Sequence, residues 1–195
     1  MKRLFDFTIS LIGLMIISPV LIILAILVKI ASRGQIFYWQ ERVGLRGRIF
    51  ELLKFRTMVV DADKIGTSVT TKNDPRITPM GRFLRKFKLD ELPQLINVLK
   101  GDMSFVGPRP DVSGFADKLK GEDLIILSVR PGITGPATLK YRNEEEILAK
   151  QIDPDKYNAE VIYPDKIRIN RKYAKNHSFW TDIVYIFKTI FSRGA

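Results

Sequence analysis

The longest apolar run of the sequence extends from Phe7 to Val28 and contains no charged residue. A helix of about 20 apolar residues is long enough to cross a bilayer, so this run predicts a membrane-embedded helix. A signal peptide fits less well, because the run is too long and has no small-residue cleavage motif before Lys29. A helix buried in a soluble core is also a poor fit, because such a helix is rarely apolar on every face.

A proline interrupts this apolar run near its middle. Pro19 has no N–H group, and its ring clashes with the carbonyl group of Met15 in a straight helix. We therefore predict a bend at Ser18-Pro19, with the Ser18 side chain available to satisfy a backbone group that the bend frees.

Basic residues lie on both sides of the apolar run, with Lys2 and Arg3 before it and Lys29 and Arg33 after it. Since basic residues favour the cytoplasmic side of a membrane, both ends are expected on that side. The pattern predicts a re-entrant helix–break–helix unit over residues 1–33. A kinked helix that crosses the membrane once is the alternative.

The remainder, residues 34–195, is predicted to form one domain of short strands and helices, giving an α+β fold that is predominantly helical. Apolar and polar residues alternate over 35–44, and 49–58 is a second extended stretch. Helical periodicity appears at 82–89, and Pro93 suits the first turn of a helix that ends at Gly101. The polar, turn-rich residues 61–81 predict an exposed loop.

Near the C-terminus, the spacing of apolar residues predicts an amphipathic helix. Its apolar face comprises Phe179, Trp180, Ile183, Val184, Phe187, Ile190 and Phe191. This face could lie in a membrane interface or pack against the domain core, and the sequence leaves both options open.

Composition then narrows the class of function. The chain has 195 residues, a formal net charge of +11, one histidine and no cysteine. Disulfides and thiol chemistry are excluded, and one histidine gives no basis for a Ser–His–Asp arrangement. The positive charge indicates an anionic partner: nucleic acid, lipid headgroups or phosphorylated small molecules. Neither a GxGxxG motif nor a P-loop is present.

Two adjacent acids, Asp90 and Glu91, precede the helix that begins at Pro93. Leu92 stands before a proline and is biased away from helix, which places the acids on a turn facing the positive end of the helix dipole. One acid there would be a helix cap, but two adjacent acids repel each other unless a cation lies between them. A magnesium ion shared with a pyrophosphate would relieve that repulsion.

Basic residues surround this acid pair in the sequence, and each alone is most simply a solvated charge. Arg109 is different because two prolines fix its backbone, and a guanidinium group matches phosphate oxygens. Acids for a metal and basic groups for phosphates together favour phosphoryl transfer. The candidate phosphate-binding residues are Lys54, Arg56, Arg85, Arg109 and Arg130.

Four motifs behind the Ser-Pro-broken segment carry a family resemblance: KFRTM, LDELPQLINVLKGDMSFVGPRP, VRPGITG and YAKNHSF. From Lys2 to Phe191 the chain resembles the bacterial sugar transferases called small monotopic phosphoglycosyl transferases. The resemblance implies a re-entrant membrane helix bent at Ser18 and Pro19, a catalytic domain on the cytoplasmic face of the bacterial inner membrane, and membrane lipids as partners. Larger relatives carry further membrane helices and another domain in front, which this chain is expected to lack.

The resemblance also implies an activity: transfer of a sugar phosphate from a UDP-sugar to undecaprenyl phosphate, with UMP released, as the first membrane step of polysaccharide or glycoconjugate synthesis. Asp90 would be the nucleophile that forms a phosphosugar-aspartate, and Glu91 a metal ligand or base, with Mg²⁺ as cofactor. Arg85, Arg109 and Arg130 would hold phosphates, with Lys54 nearby. No nucleic-acid partner is implied, and a homodimer is compatible with the resemblance.

Three departures from the family pattern stand out. Lys88 replaces a small hydroxyl residue, Asn170 replaces an aspartate, and residues 136–146 read PATLKYRNEEE where many relatives continue toward a QVNGR-like stretch. Because the third departure lies where sugar discrimination occurs, no particular sugar is inferred. A non-catalytic, membrane-anchored scaffold for glycan-assembly enzymes is the main alternative, and an anchored nucleic-acid binder ranks below it.

Overall fold

The computed structural model describes residues 1–65, 70–71, 74–112 and 119–191. Within these ranges the α-helices are α1 (Lys2–Ala31), α2 (Ala62–Ile65), α3 (Pro79–Lys86), α4 (Gln94–Lys100), α5 (Pro136–Lys140), α6 (Glu144–Leu148), α7 (Pro154–Tyr157), α8 (Tyr163–Asn176) and α9 (Phe179–Phe191). The strands are β1 (Phe37–Val43), β2 (Ile49–Phe55), β3 (Ser104–Val106) and β4 (Gly132–Thr134). Segments of 3-10 helix occupy Leu45–Gly47, Leu89–Glu91 and Gly121–Ser128, and a π-helical turn occupies Asn158–Ile162. The predominantly helical α+β class is confirmed.

Strands β1 and β2 confirm the two predicted extended stretches and pair as an antiparallel hairpin, with Phe37 opposite Phe55 and Val43 opposite Ile49. The rings of Phe37 and Phe55 stack at 5.2 Å, which adds to the cross-strand pairing. Strands β3 and β4 pair in parallel. These two strands of three residues each were not predicted, because so short a strand shows no alternation.

The predicted exposed loop over 61–81 is partly ordered into secondary structure. It contains α2 and the start of α3, and Ile77 forms an isolated antiparallel bridge with Met58. Residues 66–69 and 72–73 of this segment lie outside the described residues.

Helix α1 runs without interruption through Ser18 and Pro19. The Ser18 hydroxyl donates a hydrogen bond to the carbonyl of Met15 at 2.9 Å. This carbonyl is the one that Pro19 leaves without its usual partner, so the expected compensation by Ser18 is confirmed. The structure shows one continuous helix, and the re-entrant break and the domain boundary at residues 33 and 34 stay predictions.

Both ends of α1 pack against the same domain. Near the C-terminal end, Leu24 and Val28 form a buried cluster with Phe55 and Leu84. At the N-terminal end, Lys2 donates to the carbonyl of Val106 at 2.8 Å. The rest of the helix surface is apolar and largely exposed, and α1 is long and apolar enough to cross a membrane.

The amphipathic helix α9 presents most of its apolar stripe outward. Trp180 is 77% exposed and Phe187 56% exposed, which argues against packing of this stripe on the core. The inward face instead buries Asp182, which pairs with Lys2 and accepts a hydrogen bond from Tyr173 at 2.6 Å. Of the two options left open by the sequence, the exposure favours the membrane interface.

Candidate active site

The acid pair lies on a tight turn between α3 and α4. Lys88 adopts a left-handed conformation (φ 56°), which turns the chain into the 3-10 turn Leu89–Glu91. The expectation for Leu92 is wrong: its φ of −54° and ψ of −37° are helical, so the turn leads directly into α4. Leu89 and Leu92 both pack against the core cluster around α1, and this burial outweighs the bias that the following proline imposes.

Asp90 is the buried acid of the pair, with 9% of its surface exposed. Among the described residues, its Oδ1 atom has no hydrogen-bond partner. Burial and then repulsion by Glu91 raise the pKa of Asp90, while Lys54, Arg85 and Lys88 act to lower it. A buried carboxylate oxygen without a partner is costly, because it has lost its hydrogen bonds to water and has not replaced them with bonds to the protein.

Glu91 is held by Arg109 in a two-pronged ion pair. The guanidinium nitrogens of Arg109 donate to the two carboxylate oxygens of Glu91 at 2.5 Å and 3.3 Å. Burial alone would raise the pKa of Glu91, but Arg109, with help from Lys54 and Lys88, lowers it to about 2. Glu91 also raises the pKa of Arg109, so both partners are charged at neutral pH.

Two further cations face Asp90 and Glu91 from the β1–β2 hairpin. Lys54 on β2 and Arg42 on β1 both donate to the side-chain oxygen of Gln40, at 3.4 Å and 2.6 Å. Burial and the neighbouring guanidinium groups of Arg42 and Arg109 lower the pKa of Lys54 to about 7. Burial and Arg109 lower the pKa of Arg42 to about 10. The site therefore concentrates positive charge where a phosphate group would offset the mutual repulsion.

Arg42 was not predicted from the sequence as a residue of the site. It donates to the carbonyl of Pro110 at 2.8 Å, which ties the hairpin to the loop that carries Arg109. An arginine within an alternating strand was the available signal, although a solvent-facing arginine would have given the same pattern.

Arg85 reaches the acid pair from the last turn of α3. It lies near enough to lower the pKa of Asp90, and it also forms an ion pair with Glu145 of α6 at 2.5 Å. The neighbouring Glu144 forms an ion pair with Lys166 of α8 at 2.6 Å. Neither glutamate was a candidate from the sequence.

Two of the predicted phosphate-binding residues point to other partners. Arg56 donates to the carbonyl and hydroxyl groups of Ser32 at 3.0 Å and 2.9 Å, at the end of α1. Arg130 donates to the carbonyl of Gly101 at 2.8 Å, at the end of α4. The structure thus brings Lys54, Arg85 and Arg109 to the acid pair but not Arg56 and Arg130, and a phosphate-binding role stays a prediction for all five residues.

The residues present fit a magnesium ion held jointly with a phosphorylated substrate. Among the described residues, no group of three or more acidic or histidine side chains forms a closed metal cage. Mg²⁺ commonly takes only one or two carboxylates and completes its shell with water and substrate phosphates. Oδ1 of Asp90, which has no partner among the described residues, meets that requirement directly. The oxygens of Glu91 already accept from Arg109, so they would offer a metal only their remaining lone pairs.

Comparisons of the sequence with known proteins identify the family of this chain. The bacterial sugar transferase family profile matches residues 1–193. Exopolysaccharide production protein ExoY of Rhizobium meliloti (strain 1021) is 34% identical over 213 residues, covering 100% of this chain and 87% of that protein. UDP-glucose:undecaprenyl-phosphate glucose-1-phosphate transferase of Escherichia coli (strain K12) is 38% identical over 196 residues, covering 98% of this chain and 39% of that protein. UDP-N-acetylgalactosamine-undecaprenyl-phosphate N-acetylgalactosaminephosphotransferase of Aeromonas hydrophila is 36% identical over 194 residues, covering 97% of this chain and 42% of that protein. The chain therefore belongs to the bacterial sugar transferase family and is a transferase.

Proposed function

We propose that the protein transfers a sugar-1-phosphate from a UDP-sugar to undecaprenyl phosphate and releases UMP, as the first membrane step of polysaccharide or glycoconjugate synthesis. The observation that carries this proposal is a buried carboxylate oxygen of Asp90 that lies among the cations Lys54, Arg85 and Arg109 and has no hydrogen-bond partner in the ranges that the structure describes. The names of the relatives support the acceptor and the class of donor.

In the proposed first step, Asp90 attacks the donor phosphorus nearer the sugar. An Asp90 oxygen–phosphorus bond forms, the bond to the bridging oxygen of the diphosphate breaks, and UMP departs with that electron pair. In the second step, a phosphate oxygen of the acceptor attacks the same phosphorus and releases the Asp90 carboxylate. A carboxylate nucleophile divides one difficult transfer into two easier ones.

The surrounding residues reduce the electrostatic barrier to this attack. An anionic nucleophile must approach an anionic phosphate, and Arg85, Arg109 and Lys54 offset the charge that builds up on the phosphate oxygens. Asp90 and Glu91 are the residues that would hold Mg²⁺, which would neutralise part of the diphosphate charge. The raised pKa of Asp90 makes it a better nucleophile once it is ionised.

We further propose that the protein is monotopic, on the cytoplasmic face of the bacterial inner membrane. Both ends of α1 contact one domain, which supports an embedded rather than a crossing helix. A cysteine appended before Met1 and a second at exposed Gln35 would test this, because labelling from opposite sides would contradict it. We choose Gln35 rather than the adjacent Gly34 for the second cysteine. Gly34 has a φ of +115°, and a Cβ atom there would lie 2.0 Å from an Arg56 nitrogen.

The activity is tested with purified protein in nanodiscs, Mg²⁺, undecaprenyl phosphate and a panel of UDP-sugars. The proposal expects UMP release with at least one donor and its loss in Asp90→Asn, whose fold is checked by circular dichroism. A sugar phosphate bound covalently to the native protein, and absent from Asp90→Asn, would identify the intermediate by mass spectrometry. UMP release that persists in Asp90→Asn contradicts the mechanism. Asp90→Asn that still supports glycan assembly in cells favours the scaffold alternative.

A further inference from the structure

Arg85, a residue of the proposed donor site, is already engaged by an acidic residue of this chain. Its guanidinium group donates to Oε1 of Glu145 at 2.5 Å. Glu145 lies in the segment 136–146, which departs from the common family pattern, and it approaches Arg85 from α6. A carboxylate and a phosphate offer a guanidinium group the same kind of oxygen acceptors. Glu145 therefore occupies a guanidinium nitrogen of Arg85 that a phosphate oxygen of the donor would otherwise use.

Building on the proposed function, we infer that Glu145 competes with the donor phosphates for Arg85 and holds this arginine in the free protein. A phosphate that binds Arg85 exchanges one anionic partner for another, so Glu145 lowers the affinity of every phosphate that needs this guanidinium group by the same factor. A diphosphate still reaches Arg85 more readily than a single phosphate, because its other phosphate binds elsewhere in the cationic cluster and the second contact is favoured by proximity.

The burial of the two ion pairs supports this division of roles. The Glu145 side chain is 38% exposed, whereas the Glu91 side chain, bound to Arg109, is 14% exposed. A partly solvated ion pair is weak and exchanges readily, because water replaces the lost partner. Glu145 is therefore the carboxylate that can leave its arginine at small cost, while Glu91 stays in place.

The neighbouring ion pair allows Glu145 to leave without disturbing α6. Glu144 is bound by Lys166 through both carboxylate oxygens, at 2.7 Å and 2.6 Å, which fastens α6 to α8. Leu148 at the other end of α6 is 2% exposed and anchors the helix in the core. With the helix held at both points, the long side chain of Glu145 can rotate away from Arg85 on its own.

The test is a double-mutant cycle on anion binding, measured apart from turnover. Binding of inorganic phosphate and of UDP is titrated by ³¹P NMR for the native protein, Glu145→Gln, Arg85→Gln and the double variant. Glu160→Gln is the matched control, because it removes the same charge from an exposed position. We expect Glu145→Gln to tighten phosphate binding roughly fivefold, the size of a weak ion pair, and to tighten UDP binding by a similar factor. In the Arg85→Gln background the same change should have no effect.

Tighter phosphate binding that persists without Arg85 would overturn the inference, because Glu145 would then act only through its general negative charge. Unchanged or weaker phosphate binding in Glu145→Gln would overturn it as well. A fivefold gain in Glu160→Gln would point to net charge alone and have the same consequence. Absence of UMP release with every donor would instead count against the proposed function, since the binding measurements do not require turnover.

Discussion

Replacement of Glu91 by glutamine should destabilise the protein in a pH-dependent way. The change removes the negative partner of Arg109 but keeps the shape of the side chain. Arg109, Arg42 and Lys54 would then face one another with less compensation. Removing one partner of a buried pair leaves the other charge uncompensated, which is strongly destabilising.

The magnitude follows from the pKa of Glu91. A lowering from 4.5 to about 2 corresponds to roughly 3 kcal/mol at neutral pH, at about 1.36 kcal/mol for each pH unit. The Arg109 side chain is 40% exposed, so solvent screening reduces the expected loss to about 2 kcal/mol. Because the pKa is lower in the folded protein, this stabilisation is complete above pH 4.5 and is lost as the pH falls toward 2.

The assay is reversible unfolding of the native protein and Glu91→Gln in a non-ionic detergent, followed by circular dichroism from pH 7 to pH 2. The two free energies of unfolding should differ most at pH 7 and converge near pH 2. Glu160→Gln, which removes an exposed acid, serves as the control and should track the native protein. A difference that does not change with pH, or one below about 0.5 kcal/mol at pH 7, would refute the reasoning.

Three further predictions concern single charged groups. The pKa of Lys54 is lowered to about 7, so kcat/KM for the donor should fall as the pH rises through that value. In a steady-state assay of UMP release, Lys54→Arg should move this fall in kcat/KM to higher pH. Because burial raises the pKa of Asp90, its ionised form opposes folding, so Asp90→Asn should raise stability at pH 7 by about 1 kcal/mol or more, and this gain should vanish at low pH in thermal melts. Asp182→Asn should lower the free energy of unfolding by about 3 kcal/mol, because Lys2 and Tyr173 lose a negative charge and one of the two oxygens that accept from them. Glu122→Gln at an exposed pair is the control, and equal losses in the two variants would contradict the prediction.

Local pattern was sufficient for the apolar helix α1, the extended stretches of β1 and β2 and the helix after Pro93. Each of these has a signature that neighbouring residues alone display, such as the uninterrupted apolar run of α1 or the alternation over 35–44. The parallel pair β3 and β4 has no such signature, since Ser104 meets Gly132 only after the chain between them has folded. Leu92 shows the same limit, because the core cluster that overrides its local bias contains residues of α1.

The charged residues of the site divide in the same manner. Residue type and sequence neighbours were enough to predict Asp90, Glu91 and Arg109 as candidate site residues, because adjacent acids and a proline-framed arginine are unusual in the sequence itself. The partners of Arg56 and Arg85 could not be read in this way, since Ser32 and Glu145 are distant in sequence and only packing brings them near.

The sequence by itself determined that the chain carries an apolar helix with compensation at its proline, and that an acid pair precedes the helix after Pro93. These features depend on residue type and short-range spacing, which the chain fixes before it folds. Only the tertiary structure decided that Glu91 is bound to Arg109, that Glu145 is bound to Arg85 and that one Asp90 oxygen has no partner within the described part of the chain. Burial and charge pairing set the pKa of each group, and both arise from contacts between residues far apart in the sequence.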